Sequence, residues 1–182
     1  MVASKPRVRV KDRYFEEFLS SEKLATRIAE LGNTISTDFK NQRPVILAVL
    51  NGAFVFAADL ARQITTDLDI SFIRYASYEG MASTGQVQVI LPIPDFVEGR
   101  PVLLVEDIID TGRTMHTIIQ DVKEKGATQV RVATLLQKPE ALEVEVPVDY
   151  LGFEIENRFV VGYGLDYDGY GRNLAGIYAL AE

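Results

Sequence analysis

Two rhythms of apolar and polar residues take turns along this chain. Leu24, Ile28, Leu31 and Ile35 recur at helical spacing, which predicts a helix opening at Ser21 with that serine as its N-cap. Residues 45–50 are a near-continuous apolar run, as expected of a strand buried on both faces. Asn51-Gly52 breaks the run, and residues 53–64 read as the next helix. A strand follows at 68–73. Residues 74–86 are rich in Gly, Ser and Thr and lack helical periodicity, while 86–90 alternate polar and apolar, so a long hairpin-like excursion is expected. It exceeds the usual hairpin turn of about 2–5 residues, and such loops often act as lids. Residues 102–105 predict a buried strand, 114–125 a helix closed by Gly126, and 129–136 another strand. Short strands broken by Gly, Asp and Tyr fill 149–182. Alternating strands and helices predict an α/β fold with a mostly parallel central sheet flanked by helices. No linker divides the chain, so residues 1–182 are expected to form one domain.

Composition narrows the chemistry. The 182 residues are 47% hydrophobic and 25% charged, ordinary for a globular protein. No apolar run approaches the roughly 20 residues that cross a bilayer, and the polar, basic residues 1–13 lack the core of a signal peptide, so no membrane association is expected. The chain has no cysteine and one histidine, His116. Disulfides and thiolate metal sites are excluded, a cytoplasmic setting fits, and any metal would be a hard cation on carboxylates. A net charge of −7 argues against a broad nucleic-acid surface. It leaves room for a small polyanion held by backbone amides, a few cations and Mg²⁺.

The most informative stretch is 102–114. Four apolar residues end in Glu106-Asp107; Ile108 and Ile109 then lead to Asp110, Thr111, Gly112, Arg113 and Thr114. The acids therefore emerge at the C-terminal end of a strand, where open α/β sheets bind ligands. Adjacent carboxylates repel unless a donor or a cation lies between them, and a ribose cis-diol or Mg²⁺ would serve. The following turn offers backbone N–H groups and the hydroxyls of Thr111 and Thr114 at a helix N-terminus, a ready phosphate site. An ordinary strand-to-helix turn with solvated acids would explain one carboxylate pair, but not all thirteen residues.

This pattern resembles the phosphoribosylpyrophosphate motif of type I phosphoribosyltransferases, and the order of segments from Phe15 to Leu180 resembles the hypoxanthine-guanine branch of that family. The resemblance implies the family fold, with a small hood formed by N- and C-terminal segments. It implies that Glu106 and Asp107 hold ribose hydroxyls or metal waters, that residues 111–114 hold the 5′-phosphate, and that Asp110 is the general base. Leu50, Asn51 and Gly52 lie where the family has its pyrophosphate loop, often with a cis bond before the middle residue. Many relatives have Lys or Arg where this chain has Asn51, so backbone N–H groups would have to suffice. Arg172 lies at a pyrophosphate-contacting position. Residues 74–86, with Ser77 and Tyr78, correspond to the mobile lid that excludes water from an oxocarbenium-like transition state.

Lys138 matches the lysine that donates to a purine 6-oxo group. Phe159 would stack on the base and Val160 would contact it through its backbone. Asp166 would meet Mg²⁺, with Glu106 and Asp107, or the 2-position side of the base. The activity implied is Mg²⁺-dependent transfer of the 5-phosphoribosyl group to hypoxanthine, and to guanine, giving IMP or GMP in purine salvage. A homodimer or homotetramer is expected by the same resemblance. A transferase for xanthine, adenine or a pyrimidine is an alternative, although Leu165 beside the base edge offers xanthine's extra 2-oxo group no partner. A phosphoribosylpyrophosphate-sensing regulator would need a basic surface or an appended DNA-binding domain. A receiver-like domain would not explain the phosphate turn, the lid and the purine segment in order. His116 reads as a surface residue, the tyrosines of 163–170 as packing against the sheet, and residues 140–145 as a solvated acidic run.

Overall fold

The computed structural model describes residues 6–77 and 87–181. In chain order the strands and helices are β1 (Arg7–Val10), β2 (Arg13–Leu19), α1 (Ser21–Asp38), β3 (Val45–Val49), α2 (Phe54–Gln63), β4 (Asp69–Ser77), β5 (Val87–Leu91), β6 (Pro101–Ile109), α3 (Arg113–Glu124), β7 (Gln129–Gln137), β8 (Tyr150–Glu154), β9 (Val160–Val161) and β10 (Ile177–Leu180). Six strands form the main sheet in the order β5-β4-β3-β6-β7-β8. Every pairing is parallel except that of β5 with β4.

The continuous apolar runs of β3 and β6 are buried because both faces are covered. Ile46, Ala48, Leu103 and Val105 pack with Leu24, Ile28 and Leu31 of α1 and Phe56 and Leu60 of α2. Alternate residues Val45, Leu47, Val102 and Leu104 pack with Met115, Ile118, Ile119 and Val122 of α3. The helical spacing read in α1 is its buried face. Its N-cap, however, is Ser20, whose side chain accepts from Lys23 N, and Ser21 is the first helical residue. Gly126 follows α3 with a positive φ, as expected of its closing residue.

A second sheet, β1-β2-β10-β9, joins the two ends of the chain into the expected hood. Val10, Phe15 and Val161 form its core. The β1–β2 hairpin was not singled out from the sequence, although residues 7–10 alternate Arg and Val and form a four-residue strand. Strand β4 extends beyond the expected 68–73 to Ser77, and β5 returns antiparallel to it, as the excursion implied. Tyr78 and most of the expected lid fall in residues 78–86, outside the described residues. No helix among the described residues is long and apolar enough to cross a membrane.

Leu104 is fully buried on β6 whereas Val89 on β5 is 46% exposed. Leu104→Ala should therefore lower unfolding free energy by about 2–5 kcal/mol and Val89→Ala by less than about 0.5 kcal/mol, measured by urea denaturation.

Candidate functional site

The site forms where β6 outlasts its neighbour. Pairing of β3 with β6 ends at Ala48 and Val105, but β6 continues beside β7 through Ile109 and Gln137. Glu106 and Asp107 thus lie within the strand rather than beyond it, on a stretch paired on one side only. On the open side the chain turns at Leu50, Asn51 and Gly52, and the Leu50–Asn51 peptide is cis. Gly52 packs so closely on Asp107 that a Cβ there would overlap the carboxylate. The expected pyrophosphate turn and the expected ribose acids are therefore in contact.

Glu106 is buried and accepts Asp107 N at 3.1 Å; Asp107 is half-buried and accepts Ile108 N at 2.8 Å. Burial holds the Glu106 carboxyl well above its ordinary value, and the neighbouring Asp107 charge adds to that. Burial also raises Asp107, opposed by its hydrogen bonds and by the Arg172 charge. A deprotonated pair here calls for compensating positive charge or donors.

Beyond β6, Asp110 is exposed and Gly112 (φ 82°) serves as the N-cap of α3 without a side-chain cap bond. The carbonyl of Thr111 accepts Glu143 N at 3.0 Å and Val144 N at 3.1 Å, which braces the turn from below. A cavity of about 120 Å³ connects Glu106, Asp110, Thr111, Gly112 and Thr114. Thr114 is half-buried there, whereas Arg113 is exposed and pairs with Glu143 at 2.5 Å.

Lys138 is buried after β7, and its Nζ meets Asp110 Oδ2 at 3.0 Å. The two residues expected to handle the acceptor thus stand paired, a link across 28 residues of chain that no local pattern reveals. Phe159 is 47% exposed, with Tyr167 edge-on at 5.8 Å and Phe15 tilted at 6.3 Å between centroids. Val160 is buried in β9 and pairs with Ala179. Arg172 donates to Gly164 O and pairs with Asp166, both at 2.7 Å, while Asp166 also accepts Gly169 N at 2.6 Å.

Some expectations change. No three metal-ligating side chains converge among the described residues. Of the expected set, Glu106 and Asp107 are adjacent, and Asp166 pairs with Arg172. Asn51 is exposed on the turn and Ser77 ends β4. Leu165 is buried in the main core. Tyr163 packs inside as expected, but Tyr170 is exposed. His116 is exposed, and the acids of 140–145 are solvated. A larger cavity, about 650 Å³, lies between α1, α2 and the 163–175 segment and meets the site only through Arg172.

Residues 15–168 match the phosphoribosyl transferase domain family. The hypoxanthine-guanine phosphoribosyltransferase of Lactococcus lactis subsp. lactis is 41% identical over 165 residues, covering 90% of each chain. The bifunctional protein TilS/HprT of Listeria monocytogenes is 42% identical over 157 residues, which are 86% of this chain but 24% of that protein. The chain thus spans about a quarter of the length of that curated relative. A crystal structure of a hypoxanthine-guanine phosphoribosyltransferase from Bacillus anthracis superposes with a TM-score of 0.86 at 38% identity, covering 95% of this chain and 98% of that one.

The buried Glu106 makes a pH prediction. Its folded pKa lies above the ordinary 4.5, so its stabilising effect is full below that value and is lost as pH rises through the folded value. Without ligand, Glu106→Gln should raise Tm at about pH 8 and leave it nearly unchanged at about pH 4, as read by calorimetry. An equal change at both pH values would contradict the assignment.

Proposed function

The chain belongs to the phosphoribosyltransferase family, and on that premise we propose that it transfers the 5-phosphoribosyl group of phosphoribosylpyrophosphate to N9 of hypoxanthine or guanine. The products are pyrophosphate and IMP or GMP, a purine-salvage reaction. The observation that carries the proposal is the junction of Glu106-Asp107 with the 111–114 turn on one side and the Leu50–Gly52 turn on the other. A donor with a phosphate at one end, a diol in the middle and a pyrophosphate at the other suits that order.

Residues 111–114 take the 5′-phosphate through the uncapped start of α3, where free N–H groups and the helix dipole favour an anion. Glu106 and Asp107 accept from the ribose hydroxyls. Two crowded carboxylates, one buried and one half-buried, also fit a hard cation, and Mg²⁺ keeps most of its ligands as water or substrate oxygens. When bound, Mg²⁺ would supply positive charge against that of the departing pyrophosphate. Arg172 and the backbone of residues 50–52 supply the protein's share at that end.

Phe159 offers an exposed ring for stacking on the purine, and Lys138 donates to the 6-oxo group. As N9 bonds to C1, the bond from C1 to the pyrophosphate oxygen breaks and Asp110 accepts the N7 proton. The lysine that touches Asp110 in the free protein is then engaged by the base. We read residues 1–182 as one such domain, acting in the cytoplasm as a homodimer or homotetramer. The exposed Ile70, Phe72 and Leu91 offer an apolar face for self-association.

Purified protein with Mg²⁺ and phosphoribosylpyrophosphate should convert hypoxanthine and guanine, with kcat/KM at least about tenfold above that for xanthine or adenine. Absence of IMP and GMP would refute the proposal. Asp110→Asn should lower kcat by about 10²–10⁴-fold, and undiminished turnover would remove Asp110 as the base.

A further inference from the structure

One partly buried polar contact lies outside the mechanism above. The hydroxyl of Tyr163 donates to Asp59 on α2, and Asp59 also pairs with Arg62 one turn later. Tyr163 is 7% exposed and has φ +51°, between Gly162 and Gly164, both also at positive φ. A glycine would take this backbone conformation without steric cost, so what the position requires of tyrosine resides in its side chain.

The neighbouring contacts show what that side chain fixes. Gly164 lies against the carbonyl of Gly52, so closely that a Cβ would overlap it. From its other side, Gly164 O accepts Arg172 Nη1 at 2.7 Å, and Gly164 N donates to Arg172 O at 3.0 Å. Tyr163 N in turn donates to Leu174 O at 2.9 Å. The segment that carries Arg172 is therefore folded on itself and lies against the Leu50–Gly52 turn at Gly164. Tyr163 and Leu165 pack in one core with Phe56, Ala57 and Leu60 of α2, and the side-chain hydrogen bond recorded between this segment and that helix, among the described residues, is the one from Tyr163 to Asp59.

We propose that Tyr163 is a positioning residue for the pyrophosphate end of the donor site, fixing through Asp59 the spacing between Arg172 and the Leu50–Gly52 turn. This rests on the phosphoribosyl-transfer reading. It matters here because Asn51 brings no cation to the turn. The charge on Arg172 then has to stand at the right distance from backbone donors that cannot follow a displaced ligand. The purine subsite does not depend on this contact, since Phe159 is braced by Phe15 and Tyr167.

The test separates donor from acceptor. Tyr163→Phe keeps the packed ring and should raise KM for phosphoribosylpyrophosphate about five- to tenfold, with KM for hypoxanthine changed less than about twofold. Asp59→Ala should reproduce that change, Asp59→Asn should restore most of it because its amide oxygen still accepts, and the Tyr163→Phe/Asp59→Ala double variant should be no worse than either single one. An unchanged donor KM, equal rises in both KM values, or multiplying effects in the double variant would overturn the proposal. Binding of magnesium pyrophosphate by calorimetry gives an answer even if the wild type turns over neither base. Weaker binding to Tyr163→Phe than to the wild type supports the positioning role. Equal binding, or none to either, overturns it.

Discussion

Two adjacent carboxylates, one buried and one half-buried, on a strand that has lost one neighbour, set the terms for everything around them. Glu106 and Asp107 remain held by β7 on one edge, while the end of β3 opens the other edge to the turn at residues 50–52. Neither acid is comfortable as an anion in that position, and burial raises both. The fold accepts this cost where a ligand with hydroxyl donors or a cation can relieve it. The same opening explains why Gly52 can lie on Asp107 and why the phosphate turn follows only four residues later.

Opposite charges elsewhere in the site are already paired in the free protein. Lys138 is held by Asp110, and Arg172 by Asp166. Each pair places one group proposed to bind substrate beside another, so on that reading binding exchanges one partner for another. That exchange limits the net gain from any one contact, because every new hydrogen bond replaces an old one. Selectivity then depends on how well the substrate satisfies both members of a pair at once. In the proposed reaction a 6-oxopurine would do so for Lys138 and Asp110, with an acceptor for the first and a proton for the second.

Much of this was legible in the residues. The apolar runs of β3 and β6 announced strands covered on both faces, and the recurrence of Leu24, Ile28, Leu31 and Ile35 announced the buried side of α1. The length of β6 was not legible, because hydrophobic patterning ends at Val105 whereas backbone pairing continues through Ile109. The β1–β2 hairpin was not singled out either, although residues 7–10 alternate Arg and Val. Within the site, the acids and the phosphate turn stood out because they are contiguous. The Lys138–Asp110 and Tyr163–Asp59 contacts join residues 28 and 104 positions apart, and side-chain chemistry alone cannot pair such distant positions. The run of positive φ at Gly162, Tyr163 and Gly164 emerges only from the fold.

How the donor is seated at the open end of β6 decides the function of this site. A crystal structure of this protein with Mg²⁺, phosphoribosylpyrophosphate and a non-reactive hypoxanthine analogue tests it most directly. The 5′-phosphate should sit on residues 111–114, the ribose hydroxyls should face Glu106 and Asp107, and Lys138 should have moved from Asp110 to the 6-oxo group. A donor lying in another cavity, or a phosphate away from the start of α3, would contradict it.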